Sequence, residues 1–231
     1  MKGKLYGIGT GPGDPELLTI KAVNAIHKCG VIAVPKAGNG DGTALSIVEK
    51  YINGKELLEC RFAMETDLIK RKEARQNAAA RIMRRLDDEK DVGFITLGDP
   101  TTYSTYMYVH KIIVSKGYDA EIIPGVTSYA AAAAAFGTAL CEDNETLMII
   151  PSGHSENINE LLDYPCNKVI MKSGEKLARV LDKLKILGYG DRTRIAYRAT
   201  MDGQRLYFGI DDYEKSPETG YFTLAIIKEN V

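Results

Sequence analysis

Residues 5–19 read Leu5-Tyr6-Gly7-Ile8-Gly9-Thr10-Gly11-Pro12-Gly13-Asp14-Pro15-Glu16-Leu17-Leu18-Thr19, and this stretch decides the fold class. Lys4 to Gly9 alternates and ends in glycine, as a buried first strand does. Gly11, Pro12 and Gly13 form a loop. Asp14 then caps a helix with Pro15 at its first position and Glu16 in its first turn. Leu17, Ile20, Ala22, Val23 and Ile26 supply the apolar face, and Gly30 stops it. A strand, a glycine loop and a capped helix open a parallel α/β sheet, which binds ligands at the C-terminal ends of its strands. The loop is not a dinucleotide fingerprint. Counted from Gly7, Pro12 stands where the third glycine of G-x-G-x-x-G belongs; counted from Gly9, Asp14 does. No acidic residue ends the second strand to hold a ribose, and Leu5 and Tyr6 occupy the place of the acidic residue of ordinary Rossmann methyltransferases.

Outward from this stretch, Val31 to Val34 is a buried parallel strand ended by Pro35. A helix over Ala44 to Tyr51 follows the glycine-rich segment 38–42. Lys70 to Leu86 is a long helix whose Arg71, Arg75, Arg81, Arg84 and Arg85 read as a solvated face. The strand Val92 to Leu97 runs into Gly98-Asp99-Pro100. Helix Thr105–Lys116 and strand Ala120–Ile123 follow, and Pro124-Gly125 breaks the chain. Beyond it, Ser128 to Phe136 holds six consecutive alanines, Ala130 to Ala135, which suit close packing of a helix on a sheet. Strands are predicted over Thr146–Ile150, Lys168–Met171, Arg194–Arg198, Arg205–Phe208 and Phe222–Ile227, with a helix over Glu175–Leu187. The pattern predicts two α/β domains, residues 1–123 with a mostly parallel sheet and residues 124–231 with a mixed one.

The 231 residues are 45% hydrophobic and 26% charged, an ordinary globular composition that excludes a disordered or fibrous chain. Thirty Lys and Arg nearly cancel thirty-one Asp and Glu, so the basic excess of a nucleic-acid binder is missing. No apolar run approaches the ~18 residues of a membrane span. Met1 to Tyr6 leads straight into a strand, so no signal peptide is expected and the reading is cytoplasmic. Cys29, Cys60, Cys141 and Cys166 lie far apart without a C-x-x-C pair, and read as small buried hydrophobes rather than zinc ligands or disulfides. His27, His110 and His154 are equally scattered, so no protein-bound metal is expected.

Three loop motifs carry the functional reading: GIGTGPGDPELLT from Gly7, LGDPTTYST from Leu97 and IPGVTS from Ile123. In this order and spacing they resemble the tetrapyrrole methyltransferases of cobalamin and sirohaem synthesis, over essentially the whole chain. Within that family, the Tyr103-Ser104-Thr105 segment and GTALCEDNETL from Gly137 look most like the precorrin-2 branch, which methylates the meso carbon C20. The uroporphyrinogen III methylases are the alternative; they usually show a G-R-G segment where this chain has Ser104-Thr105-Tyr106. A nucleotide-binding regulator that turns nothing over is the reading from another class.

The resemblance implies S-adenosylmethionine in a cleft between the two domains and a tetrapyrrole over the N-terminal sheet edge. Carried over by position, Leu97, Gly98, Asp99 and Thr102 contact the methionine part of the cofactor, with Thr127 and Ser128 from the third motif. Met171 and Ala199 flank the adenine. Pro12 and Gly13 lie under the macrocycle. Methyl transfer needs the nucleophilic carbon about 3–3.5 Å from the methyl group and in line with the breaking bond, so no catalytic triad is required. A proton must leave C20 afterwards, and Asp99, Tyr103 and Tyr106 are the candidate relays. The acidic substrate calls for local cations, of which Lys36, Arg61, Lys172 and Arg198 are candidates. His27 and His110 read as structural, and of the three only His154 is a candidate for a place near the macrocycle. Likeness to anaerobic-pathway members favours the cobalt-loaded substrate. The family also implies a homodimer.

Overall fold

The computed structural model describes residues 1–37, 42–62, 67–153, 155–214 and 220–229. The glycine-rich segment 38–41 and His154 lie outside the described residues. Two compact units are present, Met1–Thr127 and Ser128–Val231, so the Pro124-Gly125-Val126-Thr127 junction packs with the first of them.

In the first unit, β1 (Leu5–Gly9), β2 (Val31–Ala37), β3 (Glu56–Phe62), β4 (Val92–Thr96) and β5 (Ala120–Ile123) form one sheet in the order β3-β2-β4-β1-β5. Every pairing in it is parallel. Successive side chains alternate between faces, so each face builds its own core. Leu5, Val31, Ala33 and Phe94 pack with Ala78, Ile82 and Leu86 of α3 (Leu68–Asp87) and Val109 and Ile113 of α4 (Tyr106–Ser115). Tyr6, Ile8, Ile32 and Ile95 pack on the other face with Ala22 and Ile26 of α1 (Ile20–Lys28) and Ile47 of α2 (Thr43–Val48).

Four local differences from the sequence reading have physical causes. The first helix is two pieces: Asp14 caps only a 3-10 turn over Pro15–Leu17, Leu18 is extended, and Thr19 caps α1 through Ala22 N–H. Ile20 is therefore exposed instead of core. Strand β2 continues through Pro35, because a proline at this point costs only one ladder donor while its carbonyl remains usable. The strand β3 was hidden by the charges of Glu56, Glu59 and Arg61, although Leu58, Cys60 and Phe62 alternate with them into the core. The arginines of α3 are partly committed: Arg75 stacks 3.5 Å from the Tyr108 ring centroid, and Arg85 pairs with Glu56 at 2.6 Å. Cys29, Cys60 and Cys166 are buried as expected, whereas Cys141 is exposed.

The second unit orders β6 (Leu147–Pro151), β7 (Asn167–Met171), β8 (Thr193–Tyr197), β9 (Arg205–Tyr207) and β10 (Thr223–Ile227) as β6-β7-β10-β8-β9. Only β6 and β7 run parallel, so the sheet is mixed. Helix α5 (Ser128–Phe136) lays Ala132 and Ala133 against Val169, Ala196, Leu224 and Ile226. The other face packs on α6 (Ile158–Asp163), α7 (Leu177–Ile186) and α8 (Ile210–Glu214) through Leu162, Leu181, Leu184 and Ile210. Helices α6 and α8 are short, and periodicity alone did not reveal them. Among the described residues no helix is long and apolar enough to cross a membrane.

A polar clamp closes one end of this sheet. Buried Asn167 donates through Nδ2 to Leu140 O (2.9 Å) and Glu145 Oε2 (2.8 Å) and accepts Glu229 N–H at 2.9 Å. Lys228 Nζ reaches the same Glu145 oxygen at 2.6 Å. Lys228, Asn167 and the Glu142 N–H together hold the Glu145 carboxyl down to about 2. A carboxyl lowered from 4.5 stabilises the fold above that pH, and its contribution disappears as pH falls towards 2. Glu145→Gln should therefore lower the melting temperature at pH 7 and flatten its decline between about pH 4.5 and 2. Thermal unfolding followed by circular dichroism across that range reads the difference; parallel curves for the two proteins would contradict it.

Candidate functional site

Strands β4, β1 and β5 are neighbours and parallel, so their C-terminal ends leave the sheet side by side. The three loop motifs of the sequence are the three loops that follow them. Their contact depends on glycine. A Cβ on Gly9 would sit 2.5 Å from Gly125 N and 2.8 Å from Gly98 O, and one on Gly125 would sit 2.3 Å from Gly98 O. Gly98 N–H donates to Gly11 O at 2.7 Å and Gly11 N–H to Gly98 O at 3.3 Å, an isolated antiparallel bridge between the first and second loops. Both glycines have positive φ, +74° at Gly11 and +72° at Gly98, which L side chains rarely adopt.

Asp99 fastens this junction. Its side chain is buried, and Oδ1 accepts Thr101 N–H (2.8 Å) and the Thr101 hydroxyl, while Oδ2 accepts Gly125 N–H at 3.0 Å. Thr102 N–H donates to the Asp99 carbonyl at 3.3 Å. With both carboxylate oxygens engaged, Asp99 positions the second and third loops and is a poor proton carrier. Thr10 adds a further tie, since its N–H and Oγ1–H both donate to Thr96 O, at 2.9 and 3.1 Å. Thr96 Oγ1 in turn lies 2.8 Å from Ser104 Oγ, which accepts Tyr106 N–H at 3.1 Å.

The two tyrosines of the second loop separate cleanly. Tyr106 is fully buried in the first core, with its ring against the open Cα of Gly7, where a Cβ would lie 2.0 Å from Cζ. Its hydroxyl lies 3.0 Å from His110 Nδ1, and burial pushes the phenol well above its ordinary range. It is a packing residue, which corrects the expectation that it relays a proton. His110 lies on α4, where burial lowers its imidazole below the ordinary range. Tyr103 is 45% exposed and sits at φ +50°, a left-handed conformation costing on the order of 1–2 kcal/mol. Strain of this kind persists where the surroundings over-determine the backbone, commonly at functional sites.

Pro12 is buried and Gly13 half-buried in the first loop; Leu97 packs on the Ile8 and Ile95 core. Lys36, near the end of β2, reaches Glu59 Oε1 at 2.5 Å, and Arg61, its register partner on β3, lies 3.7 Å from Glu59 Oε2. Arg81 donates to the Glu59 carbonyl. Lys36 holds the Glu59 carboxyl below its ordinary range, yet three cations around one carboxylate leave local positive charge. Sequence reasoning missed Arg81, because only the packing of α3 on β3 brings it here.

In the second unit, Ser128 is the first residue of α5. Met171 ends β7, and Ala199 follows β8 by two residues. Both strands are antiparallel to β10, so their ends share one edge, and Met171 and Ala199 join one cluster with the α5 alanines. Lys172, Arg198 and Thr200 at this edge all have positive φ, from +51° to +66°. Among the described residues no three His, Cys, Asp or Glu side chains could hold a metal ion.

The family model of the Tetrapyrrole (Corrin/Porphyrin) Methylases matches residues 4–210, which includes all three loops. The chain belongs to this family. A probable cobalt-precorrin-2 C(20)-methyltransferase of Methanocaldococcus jannaschii is 34% identical over 97% of this chain and 96% of its own. The cobalt-precorrin-2 C(20)-methyltransferase of Salmonella typhimurium is 30% identical over 99% and 98%. Among solved structures, a uroporphyrin-III C-methyltransferase from Thermus thermophilus, complexed with S-adenosylhomocysteine, superposes with a TM-score of 0.69 at 21% identity over 98% of both chains. Membership makes this chain an S-adenosylmethionine-dependent methyltransferase acting on the tetrapyrrole class.

Asp99→Asn places an amide NH2 against a donor on one side or the other, so it should cost about 1–3 kcal/mol of stability. Asp14→Asn, at a cap where asparagine serves equally well, should cost less. Denaturant unfolding of the two variants measures this; equal losses would show that Asp99 is only a cap.

Proposed function

We propose that the chain transfers a methyl group from S-adenosylmethionine to carbon C20 of cobalt-loaded precorrin-2, in cobalamin synthesis. The observation that carries this reading is end-to-end similarity, at 34% and 30% identity, to two proteins bearing that name. The cobalt belongs to the macrocycle and is substrate, so the protein itself needs no resident metal. We also propose a cytoplasmic homodimer, on family likeness; sedimentation equilibrium should show twice the chain mass, and a monomer at high concentration would overturn it.

The residues present fit the methyl donor. Gly98 has open space where a Cβ would stand, so a ligand can approach its backbone closely. Leu97, Gly98, Asp99, Thr102 and Thr127 are assigned to the methionine part, with Ser128, and Met171 and Ala199 to the adenine. When bound, the cofactor supplies an activated methyl group on a sulfonium. The chain's part is to hold the accepting carbon about 3–3.5 Å away and in line, and to exclude water. Asp99 contributes by fixing the loops. Pro12 and Gly13 are assigned beneath the macrocycle, and Lys36, Arg61 and Arg81 to its carboxylates. Tyr103, half exposed at its strained position, is assigned to carry away the C20 proton.

Tyr103→Phe should lower turnover about 10²- to 10⁴-fold with little change in cofactor affinity, the range for losing one general acid–base group. The reaction itself is tested with cobalt-loaded and metal-free dimethylated precorrin and a carbon-labelled methyl donor. Label at C20 with the cobalt substrate is expected. Label at C2 or C7 would overturn the assignment, and label at C20 only with the metal-free substrate would overturn the cobalt half.

A further inference from the structure

Among the described residues, one buried side-chain nitrogen or oxygen lacks a hydrogen-bond partner: Nε of Arg198. A guanidinium stays charged at any ordinary pH, so this donor cannot relieve its burial by losing a proton. Buried donors are almost always satisfied, and an orphan calls for a reason. A second, independent observation marks the same place. Of the six non-glycine residues with positive φ among the described residues, three are Lys172, Arg198 and Thr200, grouped where β7 and β8 end beside the start of β10. The strain at Arg198 is imposed by its partners: its N–H donates to Phe222 O at 3.1 Å and its carbonyl accepts Met201 N–H at 2.9 Å. Gln204 Oε1 accepts Thr200 N–H at 2.7 Å and locks the turn. The guanidinium carbon lies 5.9 Å from the Phe222 ring centroid, which limits its swing.

We infer that Arg198 is a carboxylate-binding residue, its Nε–H and one terminal N–H donating side by side to the two oxygens of a ligand carboxylate. This planar fork is the arrangement for which arginine, unlike lysine, is built. The inference rests on the proposed function, which supplies two carboxylate sources: the amino-acid end of the methyl donor and the periphery of the tetrapyrrole.

The experiment uses the full chain and three probes, S-adenosylhomocysteine, 5'-methylthioadenosine and uroporphyrin III, with binding followed by calorimetry. Failure of the wild-type protein to bind S-adenosylhomocysteine would overturn the functional reading before any variant is made. Arg198→Lys keeps the charge but loses the fork, and Arg198→Met keeps the stem. Both should bind one carboxylate probe about tenfold or more weakly, with methylthioadenosine unchanged. Loss confined to S-adenosylhomocysteine assigns the donor's carboxylate; loss confined to uroporphyrin assigns the substrate's. Unchanged binding of both carboxylate probes overturns the inference, and so does equal weakening of methylthioadenosine and S-adenosylhomocysteine. Should the variants fail to fold, the wild-type Arg198 Nε–H resonance decides. It should move downfield on adding a carboxylate probe, and an unmoved resonance with both probes overturns the inference.

Discussion

The contact of Gly9, Gly98 and Gly125 under the Asp99 carboxylate is the constraint on which the first unit's site depends. Three loops leave three adjacent strands; only hydrogen at the Cα of Gly9 and Gly125 lets the backbones meet, while Gly98 supplies the left-handed turn. Such closeness buries backbone donors, which must be satisfied inside the protein. Asp99 answers two of them, at Thr101 and Gly125, and the Gly11–Gly98 bridge satisfies two more donors. A carboxylate used in this way gives shape rather than chemistry. That fits a reaction whose activation arrives with the methyl donor and whose demand on the protein is alignment.

The same division between shape and chemistry runs through the rest of the site. Thr10 is spent on holding the first loop to β4, and Ser104 and Tyr106 on holding the second loop to β4 and the core. The ligand roles proposed fall at strained backbone positions, Tyr103 in the first unit and Arg198 in the second. The cations around Glu59 combine two strands and a helix, Lys36 from β2, Arg61 from β3 and Arg81 from α3. A near-neutral chain can thus present a local positive field without a net basic charge.

Legibility in the sequence followed the strength of local signals. Strand β5 and helix α5 were readable to the residue, because proline and glycine punctuate one and an alanine run defines the other. The first helix misled, because Asp14-Pro15 and Thr19 are both valid start signals and only packing of Leu18 on the core decides that the chain breaks between them. Strand β3 was missed because at a sheet edge the solvent face tolerates Glu56, Glu59 and Arg61, which dilutes the apolar pattern. Of the site, the glycine loops and Asp99 stood out early. The roles within them did not, since Tyr103 and Tyr106 differ by three positions and nothing local says which is core.

By itself the sequence determined the α/β class, the two-part organisation, the three loops and the family they mark, because turn chemistry and periodicity act over a few residues. Tertiary structure alone decided that β4, β1 and β5 are neighbours, that Asp99 is tied to Gly125, and that Met171 and Ala199 share one cluster. It also left Arg198 with an unpaired buried nitrogen. These are distances between residues remote in the chain, and they follow from strand order and close packing, which no local pattern encodes.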